Sequence, residues 1–336
     1  MLYRKMPGMD ENLSILGFGC MRLPVTSEGN IDEPVATKIL RYAIDHGVNY
    51  IDTAWTYHNE ESEPFVGRAL AGGYREKIFL ATKLPSWLVE KPEDMDMFLN
   101  RQLQRLQTDH IDFYLIHSLN KERWENVVRH DVFSFLEIAL ADGRIRYAGF
   151  SFHGDYELFE EILNAWKWDF CQIQYNYLDE NYQAGTKGLK EAASRGLGVV
   201  VMEPLRGGKL ALNVPAPIQN IWKEGDKSMS PASWGLRWVW NHSEVSVVLS
   251  GMNSMEQVEE NIAAAKKALP ETLSPHDLQI VERVRDEYKK RMKVNCTNCR
   301  YCMPCPQGVN IPECFNRYNI AFMFDDEKMA KDTYFV

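Results

Sequence analysis

The chain has 336 residues, of which 45% are hydrophobic and 25% are charged, a composition typical of a globular protein with a large core. Its net charge of −9 argues against a nucleic acid as partner. No apolar run approaches the ~20 residues that span a bilayer, and residues 1–9 lack the apolar core of a secretion signal. We therefore expect a cytoplasmic protein without a membrane segment.

Short apolar runs alternate with longer amphipathic stretches along most of the chain. Tyr3–Met6 and Leu13–Gly17 flank a Pro-Gly turn and predict a short hairpin. Strands are predicted for eight short apolar runs, at Leu16–Cys20, Asn49–Thr53, Ile78–Lys83, Ile111–His117, Tyr147–Ser151, Phe170–Gln174, Val199–Glu203 and Val245–Ser250. Helices are predicted by periodicity at Val35–His46, Met97–Leu106, Val127–Leu140, Tyr156–Leu163, Thr186–Ser194, Ala232–Trp240 and Met255–Ala268. Beyond Pro270, Ser274 begins a further helix that we expect to reach about Lys290.

Apolar strands that alternate with helices indicate buried parallel strands, and eight such units predict an α/β fold closed into a (β/α)8 TIM barrel. The alternative is an open doubly wound sheet, which usually carries a Gly-x-Gly-x-x-Gly loop that opens a helix. Here the run that starts at Leu16 lacks the third glycine and leads into Leu23-Pro24, so the open sheet is the weaker alternative. We predict a barrel over residues 1–270 and a C-terminal helix with a cysteine-rich segment over residues 271–336.

Three polar residues end neighbouring predicted strands. Asp52, Lys83 and His117 are 31 and 34 residues apart, close to one βα unit each. Because consecutive strand ends lie side by side in a barrel, we expect these side chains to converge on the C-terminal face, within reach of Tyr57 in the following loop. The four residues together predict a catalytic site at that face.

This combination suits the reduction of a carbonyl group, in which negative charge develops on oxygen and a proton must be supplied. The phenol of Tyr57, with an ordinary pKa of about 10, is the candidate donor. We expect Lys83 to lower the pKa of Tyr57, Asp52 to keep Lys83 charged, and His117 to orient the carbonyl through a hydrogen bond.

Cysteines crowd into residues 296–314, a pattern that indicates metal binding rather than disulfides in a reducing compartment. The spacing C-x2-C-x2-C-x2-C-P is one residue shorter in its last gap than the ferredoxin pattern. We predict one [4Fe–4S] cluster on Cys296, Cys299, Cys302 and Cys305, with Cys314 as the alternative fourth ligand and zinc as the alternative metal. Its role is open between structure, redox sensing and electron delivery. Electron delivery to the nicotinamide would need a one-electron carrier such as a flavin, and a redox partner protein is a candidate partner.

Three stretches resemble the signatures of the aldo-keto reductase family: Asn49-Tyr-Ile-Asp-Thr-Ala-Trp-Thr-Tyr57, Ala81-Thr-Lys83-Leu and Ile111-Asp-Phe-Tyr-Leu-Ile-His117. The resemblance covers residues 1–270 and implies a barrel reductase with an Asp–Tyr–Lys–His tetrad and Tyr57 as general acid. It also implies an aldehyde or ketone as small-molecule substrate and a nicotinamide cofactor, usually NADPH, bound across the barrel mouth. The tail that ends Met303-Pro-Cys-Pro-Gln-Gly-Val-Asn-Ile-Pro312 resembles an iron–sulfur branch of that family.

The resemblance further implies cofactor contacts at the strand ends and loops of the barrel. These are Cys20, Met21 and Arg22 after the first strand; Ser151 and Gln174 at the carboxamide; Glu203, Pro204, Leu205, Gly207, Gly208 and Lys209 at the pyrophosphate; and Ser250, Gly251, Met252, Asn253, Gln257, Glu260 and Asn261 at the adenosine end. Two positions depart from the family pattern. Phe152 stands where an asparagine is usual, and Gln257 stands where many NADPH-preferring members carry arginine. The choice between NADP and NAD is therefore open, with a lean to NADP from family habit.

Two functions are compatible with this pattern. The leading hypothesis is an NAD(P)-dependent enzyme, and the alternative is a redox-sensing protein that binds nicotinamide without turnover. The complete tetrad favours the enzyme. Aromatic and apolar residues in the loops are candidates for the substrate pocket, namely Trp55, His58, Trp87 and Leu119.

Overall fold

The computed structural model describes residues 1–294, residue 296 and residues 302–332. The strands of this part are β1 Tyr3–Lys5, β2 Asn12–Ser14, β3 Leu16–Gly19, β4 Tyr50–Asp52, β5 Phe79–Leu84, β6 Ile111–Leu119, β7 Ile145–Phe152, β8 Phe170–Gln174, β9 Gly198–Met202 and β10 Val247–Ser250. The helices are α1 Glu33–Asp45, α2 Ser62–Ala69, α3 Pro92–Leu106, α4 Lys121–Arg129, α5 Val132–Ala141, α6 Tyr156–Ala165, α7 Gly185–Ser194, α8 Ala216–Trp222, α9 Pro231–Trp240, α10 Met255–Ala265, α11 Pro275–Lys290, α12 Ile311–Met323 and α13 Glu327–Asp332.

The strands β3 to β10 form a closed parallel barrel in which each strand pairs with its sequence neighbours and β10 pairs with β3. The predicted (β/α)8 barrel is thereby confirmed. The predicted hairpin also forms, because β1 and β2 pair antiparallel ahead of the barrel.

The barrel register explains why the three polar strand-end residues face one another. Asp52 pairs with Ala81, and Lys83 lies two residues further along the same face of β5. Lys83 in turn pairs with Leu115, and His117 lies two residues beyond it. Ala81 and Leu115 belong to the buried core cluster inside the barrel. Each polar side chain therefore follows an interior apolar position and stands above the core at the C-terminal rim.

The interior of the barrel is a packed apolar core rather than a channel. Tyr50 and Phe113 contact each other inside it, with ring centroids 5.1 Å apart. The connection through the hairpin contributes Met6, Met9 and Leu13 to the same cluster. These residues close the amino-terminal end, which leaves the C-terminal rim for chemistry.

The chain divides into two compact units. The first comprises Met1–Pro204 and Val239–Thr272, and the second comprises Leu205–Trp238 and the chain from Leu273 onward. The predicted domain boundary at residue 270 stays a prediction. Within the second unit, Trp222 and Trp234 stack with centroids 5.1 Å apart, and Arg283 of α11 donates to Glu224 at 2.6 Å.

Most predicted helices are present, with two kinds of difference: one predicted helix is split, and several helices were not predicted. Helix α11 begins with a capping box between Ser274 and Asp277 and ends at Lys290, as expected. The predicted single helix over 127–140 is wrong: α4 and α5 are separate, because Asp131 adopts a left-handed φ of 61°. Helices α2, α8, α12 and α13 were not predicted. Within the described residues, no helix combines the length and hydropathy needed to cross a bilayer.

Candidate active site

Four residues at the barrel rim form one connected polar cluster, which we call the tetrad: Asp52, Tyr57, Lys83 and His117. The Lys83 Nζ donates to Asp52 Oδ1 at 2.8 Å and to the carbonyl of Thr53 at 2.8 Å. It also lies 3.4 Å from the hydroxyl of Tyr57. The ring of Tyr57 meets the ring of His117 edge-on at 6.1 Å between centroids. The structure thus brings together the four residues that the strand spacing predicts.

Lys83 and Asp52 form a buried ion pair, since the side chains are 0% and 3% exposed. Burial by itself lowers the pKa of Lys83, but the attraction of Asp52 and Tyr57 raises it above its ordinary value. The ammonium therefore stays charged at neutral pH. A buried charge of this kind is stable only with compensating partners, which Asp52 and the Thr53 carbonyl supply.

The pKa of Tyr57 differs from the sequence-based expectation. Burial of the hydroxyl is the largest influence and raises the pKa; Lys83 lowers it, but by less, and the net pKa is raised. Lys83 thus acts in the expected direction, but burial outweighs it. The phenol is a protonated, neutral donor at pH 7, and the ammonium 3.4 Å away stabilises charge that develops when its proton leaves.

His117 is held as a neutral imidazole. Burial lowers its pKa well below the ordinary value, and the cations Lys83 and Arg123 and the neighbouring His153 lower it further. The Nδ1 atom of His117 is buried, and no hydrogen-bond partner exists for it among the described residues. The other nitrogen of the ring is therefore the candidate donor toward a substrate oxygen.

A second buried network supports the backbone of Lys83. The side chain of Gln102 donates to the Lys83 carbonyl at 3.0 Å and to Glu63 Oε1 at 2.7 Å. The Thr82 hydroxyl donates to Glu63 Oε1 at 2.6 Å, and the Tyr114 hydroxyl donates to Gln102 Oε1 at 2.8 Å. Sequence reasoning missed these residues, which lie within two helices and two strands, because the strand-end spacing that revealed the tetrad does not include them.

Ser151 and Gln174 lie at the ends of β7 and β8, where the carboxamide contacts are expected. Both are buried. The hydroxyl of Ser151 accepts from the backbone N–H of Ser118 at 2.6 Å, which leaves its own O–H free to donate. Gln174 donates to Asp179 at 2.9 Å, while its Oε1 is buried with no hydrogen-bond partner in the described chain. Such an atom can accept a hydrogen bond from an amide ligand.

Phe152, which stands at the asparagine position of the family, is fully buried and packs on Phe159 with centroids 5.0 Å apart. It is a core residue with no polar group to offer. The next residue, His153, lies 3.3 Å from the side chain of Gln183.

The residues expected at the pyrophosphate follow β9. In the first unit, Glu203 is exposed with a left-handed φ of 54°, and Pro204 is buried. In the second unit, Leu205 and Lys209 flank Gly207 and Gly208, whose φ angles are 67° and 94°. Left-handed φ values favour glycine and turn successive N–H groups toward one side of a loop.

The residues expected at the adenosine end surround the start of α10. Ser254 caps this helix, and the side chain of Gln257 accepts from the Asn253 N–H at 2.9 Å. Asn261 is buried and donates to Ser250 Oγ at 3.0 Å. The remaining expected residues are Met252, which is buried, Gly251, which is exposed, and Glu260, which is half-buried.

The three residues expected after the first barrel strand form a short 3-10 turn. Cys20 is buried, whereas Met21 and Arg22 are exposed. The Arg22 side chain packs against Gly251, where a Cβ would approach its carbons to 3.2 Å. Glycine at 251 therefore leaves room for Arg22 beside the start of α10.

Three of the four predicted cluster ligands lie within the described residues. Cys296 and Cys305 are half-buried, Cys302 is exposed, and all three are free thiols. Cys299 lies outside the described residues. Among the residues that the structure describes, no three metal-binding side chains converge.

Comparisons with known proteins agree with this geometry. The model of the family described as "Aldo/keto reductase family" matches residues 15–286. Curated relatives include an NADH-specific methylglyoxal reductase of Escherichia coli, 26% identical over 300 residues that cover 76% of this chain and 90% of the relative. A glyoxal reductase of Bacillus subtilis is 28% identical over 214 residues, which cover 63% and 72% of the two chains.

Solved structures give the same result. The holo form of an aldo-keto reductase from Bacillus halodurans superposes with a TM-score of 0.70 at 27% identity, covering 84% of this chain and 96% of that chain. An aldo/keto reductase from Klebsiella pneumoniae in complex with NADP and acetate superposes with a TM-score of 0.68 at 25% identity, covering 83% and 94%.

Proposed function

This chain belongs to the aldo/keto reductase family of oxidoreductases, and we propose that it reduces small aldehydes or ketones to alcohols with a nicotinamide dinucleotide as hydride source. The observation that carries the proposal is the Tyr57 hydroxyl, 3.4 Å from the buried Lys83 ammonium and edge-on to His117. The relatives named for methylglyoxal and glyoxal reduction support a small carbonyl compound as substrate.

In this mechanism His117 donates a hydrogen bond to the carbonyl oxygen and orients it. When bound, reduced nicotinamide supplies the hydride to the carbonyl carbon. Tyr57 gives its proton to the oxygen as negative charge develops there. Lys83 stabilises the phenolate that remains, and Asp52 holds Lys83 in place and charged.

Residues of this chain fit a nicotinamide cofactor. The buried Oε1 of Gln174 lacks a partner among the described residues, and the Ser151 hydroxyl retains a free proton, so the two would hold the carboxamide as acceptor and donor. Gln257 is engaged with the backbone of Asn253 and carries no charge, so a 2′-phosphate would need another base. Arg22 is a cation whose side chain packs against Gly251, before the start of α10. We propose NADP as the cofactor, with NAD as the alternative. Comparing the dissociation constants of the two dinucleotides decides between them.

The test of the enzymatic function is the Tyr57→Phe variant, which removes only the hydroxyl. We expect kcat for carbonyl reduction to fall by roughly 10²- to 10⁴-fold, the usual contribution of a general acid. Cofactor affinity, measured by fluorescence titration, should be unchanged. The matched control is Tyr74→Phe, which removes a hydroxyl that donates to Asp45 at 2.9 Å away from the tetrad.

Full activity in Tyr57→Phe would show that another group supplies the proton. Cofactor binding without turnover of any carbonyl by the unaltered chain would favour the redox-sensing alternative.

We also propose that Cys296, Cys299, Cys302 and Cys305 bind one [4Fe–4S] cluster. The spacing of these four cysteines along the chain supports the proposal. The thiols that the structure describes do not by themselves converge into a metal site. No step of carbonyl reduction is assigned to the cluster. Anaerobic purification followed by iron and acid-labile sulfide assays should give four of each per chain. Zinc or no metal would overturn this proposal.

A further inference from the structure

Arg123 is a cation close to the tetrad for which carbonyl reduction gives no role. It lies in the first turn of α4, where its backbone N–H is capped by Asn120 Oδ1 at 2.9 Å. Its guanidinium lies 4.7 Å from the ring centroid of Trp87. The Nη1 atom donates to the carbonyl of Ser118 at 3.0 Å and to the Ser118 hydroxyl at 2.6 Å.

Among the residues that the structure describes, no carboxylate pairs with this guanidinium. Ser118 and Trp87 are uncharged, and in the described part of the chain both hydrogen bonds come from Nη1 alone. The remaining N–H donors, at Nη2 and Nε, are available to a ligand in the fork geometry that suits carboxylate or phosphate oxygens. Three other half-buried arginines, Arg75, Arg105 and Arg144, each pair with a carboxylate. Arg4 and Arg41 instead donate from more than one nitrogen to backbone carbonyls.

The position is also unfavourable for the helix itself. A helix N-terminus carries partial positive charge and is stabilised by anions rather than cations. Arg123 therefore does not serve α4 as a charge at this end. An anion that bound the guanidinium would relieve both the unpaired charge and its repulsion from the helix end.

Trp87 connects this cation to the catalytic residues. Its ring lies 5.2 Å from the ring of His117 and 4.7 Å from Arg123, so one aromatic side chain contacts both. Trp87 and Arg123 are each half-buried. A molecule whose carbonyl oxygen contacts His117 would therefore extend along Trp87 toward Arg123.

The backbone of β6 fixes the arrangement. Ser118 has a left-handed φ of 57°, which is uncommon for a residue with a side chain. In this conformation its N–H donates to Ser151 while its carbonyl and hydroxyl accept from Arg123. Ser118 thus holds Arg123 and Ser151, the candidate carboxamide contact, in a fixed geometry.

We propose that Arg123 binds a negatively charged oxygen group on the carbonyl substrate, so that the enzyme prefers short oxo acids or phosphorylated aldehydes over neutral carbonyl compounds. This inference rests on the proposed carbonyl reductase function. It assigns Arg123 the role of a specificity-determining residue, with Trp87 as the apolar surface between the anionic group and the reacting carbonyl.

The test compares pairs of carbonyl compounds in which one member carries an anionic group and the other is neutral. The probes are 4-oxobutanoate against its methyl ester, and glyceraldehyde 3-phosphate against glyceraldehyde. The variants are Arg123→Met, which keeps an apolar side chain against Trp87, and Arg123→Lys, which keeps the charge but loses the fork. We expect Arg123→Met to raise KM for the preferred anion by roughly 10- to 100-fold, the range of a charge-assisted hydrogen bond, with kcat little changed.

The neutral partner of each pair serves as the internal control. The kcat/KM of the neutral compound should stay within about twofold in Arg123→Met. The KM of Arg123→Lys for the anion should lie between those of the unaltered chain and Arg123→Met. A preference for 4-oxobutanoate identifies a carboxylate, and a preference for glyceraldehyde 3-phosphate identifies a phosphate. An unaltered chain that prefers neither anion, or an Arg123→Met variant with an unchanged preference, would overturn the proposal.

A binding measurement separates this inference from the reductase function. Isothermal titration of 4-oxobutanoate and glyceraldehyde 3-phosphate into Tyr57→Phe with oxidised cofactor present reports anion affinity without turnover. If the chain reduces no carbonyl but binds one anion in an Arg123-dependent way, the reductase proposal fails and the anion site stands. If carbonyls are reduced and neither anion binds through Arg123, only the anion site fails.

Discussion

Lys83 is fully buried and charged, so the tetrad depends on the groups that replace the lost hydration of its ammonium. Asp52 and the carbonyl of Thr53 supply two contacts at 2.8 Å, and Tyr57 lies at 3.4 Å on the third side. The spacing of strand ends along the chain predicted that these side chains converge. The direction of the net Tyr57 pKa shift could not be predicted from that spacing, because it depends on whether the effect of burial or that of the Lys83 charge is larger.

The pKa directions at the tetrad predict the pH dependence of reduction. The general acid must carry its proton, so activity is present below the pKa of Tyr57 and lost as pH rises through it. Since that pKa is raised above its ordinary 10.0 and the pKa of His117 is lowered well below its ordinary 6.5, kcat should be constant between these two values. Steady-state assays across this range, with circular dichroism to verify folding, test the prediction.

A falling alkaline limb centred below pH 10.0 would contradict the raised pKa of Tyr57. An acid limb that begins above pH 6.5 and disappears in His117→Gln would contradict the assignment of a neutral imidazole. The Tyr74→Phe control should retain the profile of the unaltered chain.

At the scale of elements, periodicity located helices well but not the breaks between them. The apolar pattern runs through residues 127–140 without interruption, yet α4 ends at Arg129 and α5 begins at Val132. The break contains one left-handed residue, Asp131, directly before α5. Aspartate tolerates this conformation better than most residues, but it is too common elsewhere in proteins to act as a signal.

This break predicts an order of stability for substitutions at Asp131. A β-branched residue is strained at a φ of 61°, so Asp131→Val should lower the free energy of unfolding by about 1–2 kcal/mol. Asp131→Asn should be close to neutral, since asparagine also adopts this region. Arg129→Val, at an exposed helical position two residues earlier, is the matched control and should cost only a few tenths of a kcal/mol.

Urea denaturation at constant pH measures these differences. Equal losses for Asp131→Val and Arg129→Val would show that the left-handed conformation does not strain this turn.

At the scale of the whole molecule, the barrel could be predicted because its eight βα units repeat one pattern. The division into compact units follows less directly from the sequence. Residues 205–238 join the C-terminal chain through contacts such as Arg283 with Glu224, and these pair residues far apart in sequence. The anion site proposed at Arg123 also could not be predicted from the sequence, since the proposal depends on the contacts of its guanidinium among the described residues.

The cysteine segment is bounded by ordered contacts within the second unit. Asn319 of α12 accepts from the backbone N–H groups of Lys293 and Val294 at 2.9 Å each, and Arg291 donates to the carbonyls of Phe322 and Met323. The helices on both sides of the cysteines are thus joined by direct hydrogen bonds. A cluster held between them would act as a further cross-link that stabilises this unit.

A structural role and an electron-delivery role for the cluster predict different kinetics. Reduction of a carbonyl by hydride moves an electron pair, whereas the proposed cluster moves one electron at a time. We therefore expect Cys302→Ser to lose iron and to lower the melting temperature, while kcat for carbonyl reduction with the nicotinamide cofactor stays within about twofold.

Cys314→Ser is the matched control and should keep its iron if Cys305 is the fourth ligand. A fall of kcat in proportion to iron loss would place the cluster in the catalytic electron path, and loss of iron in Cys314→Ser but not in Cys305→Ser would reassign the fourth ligand.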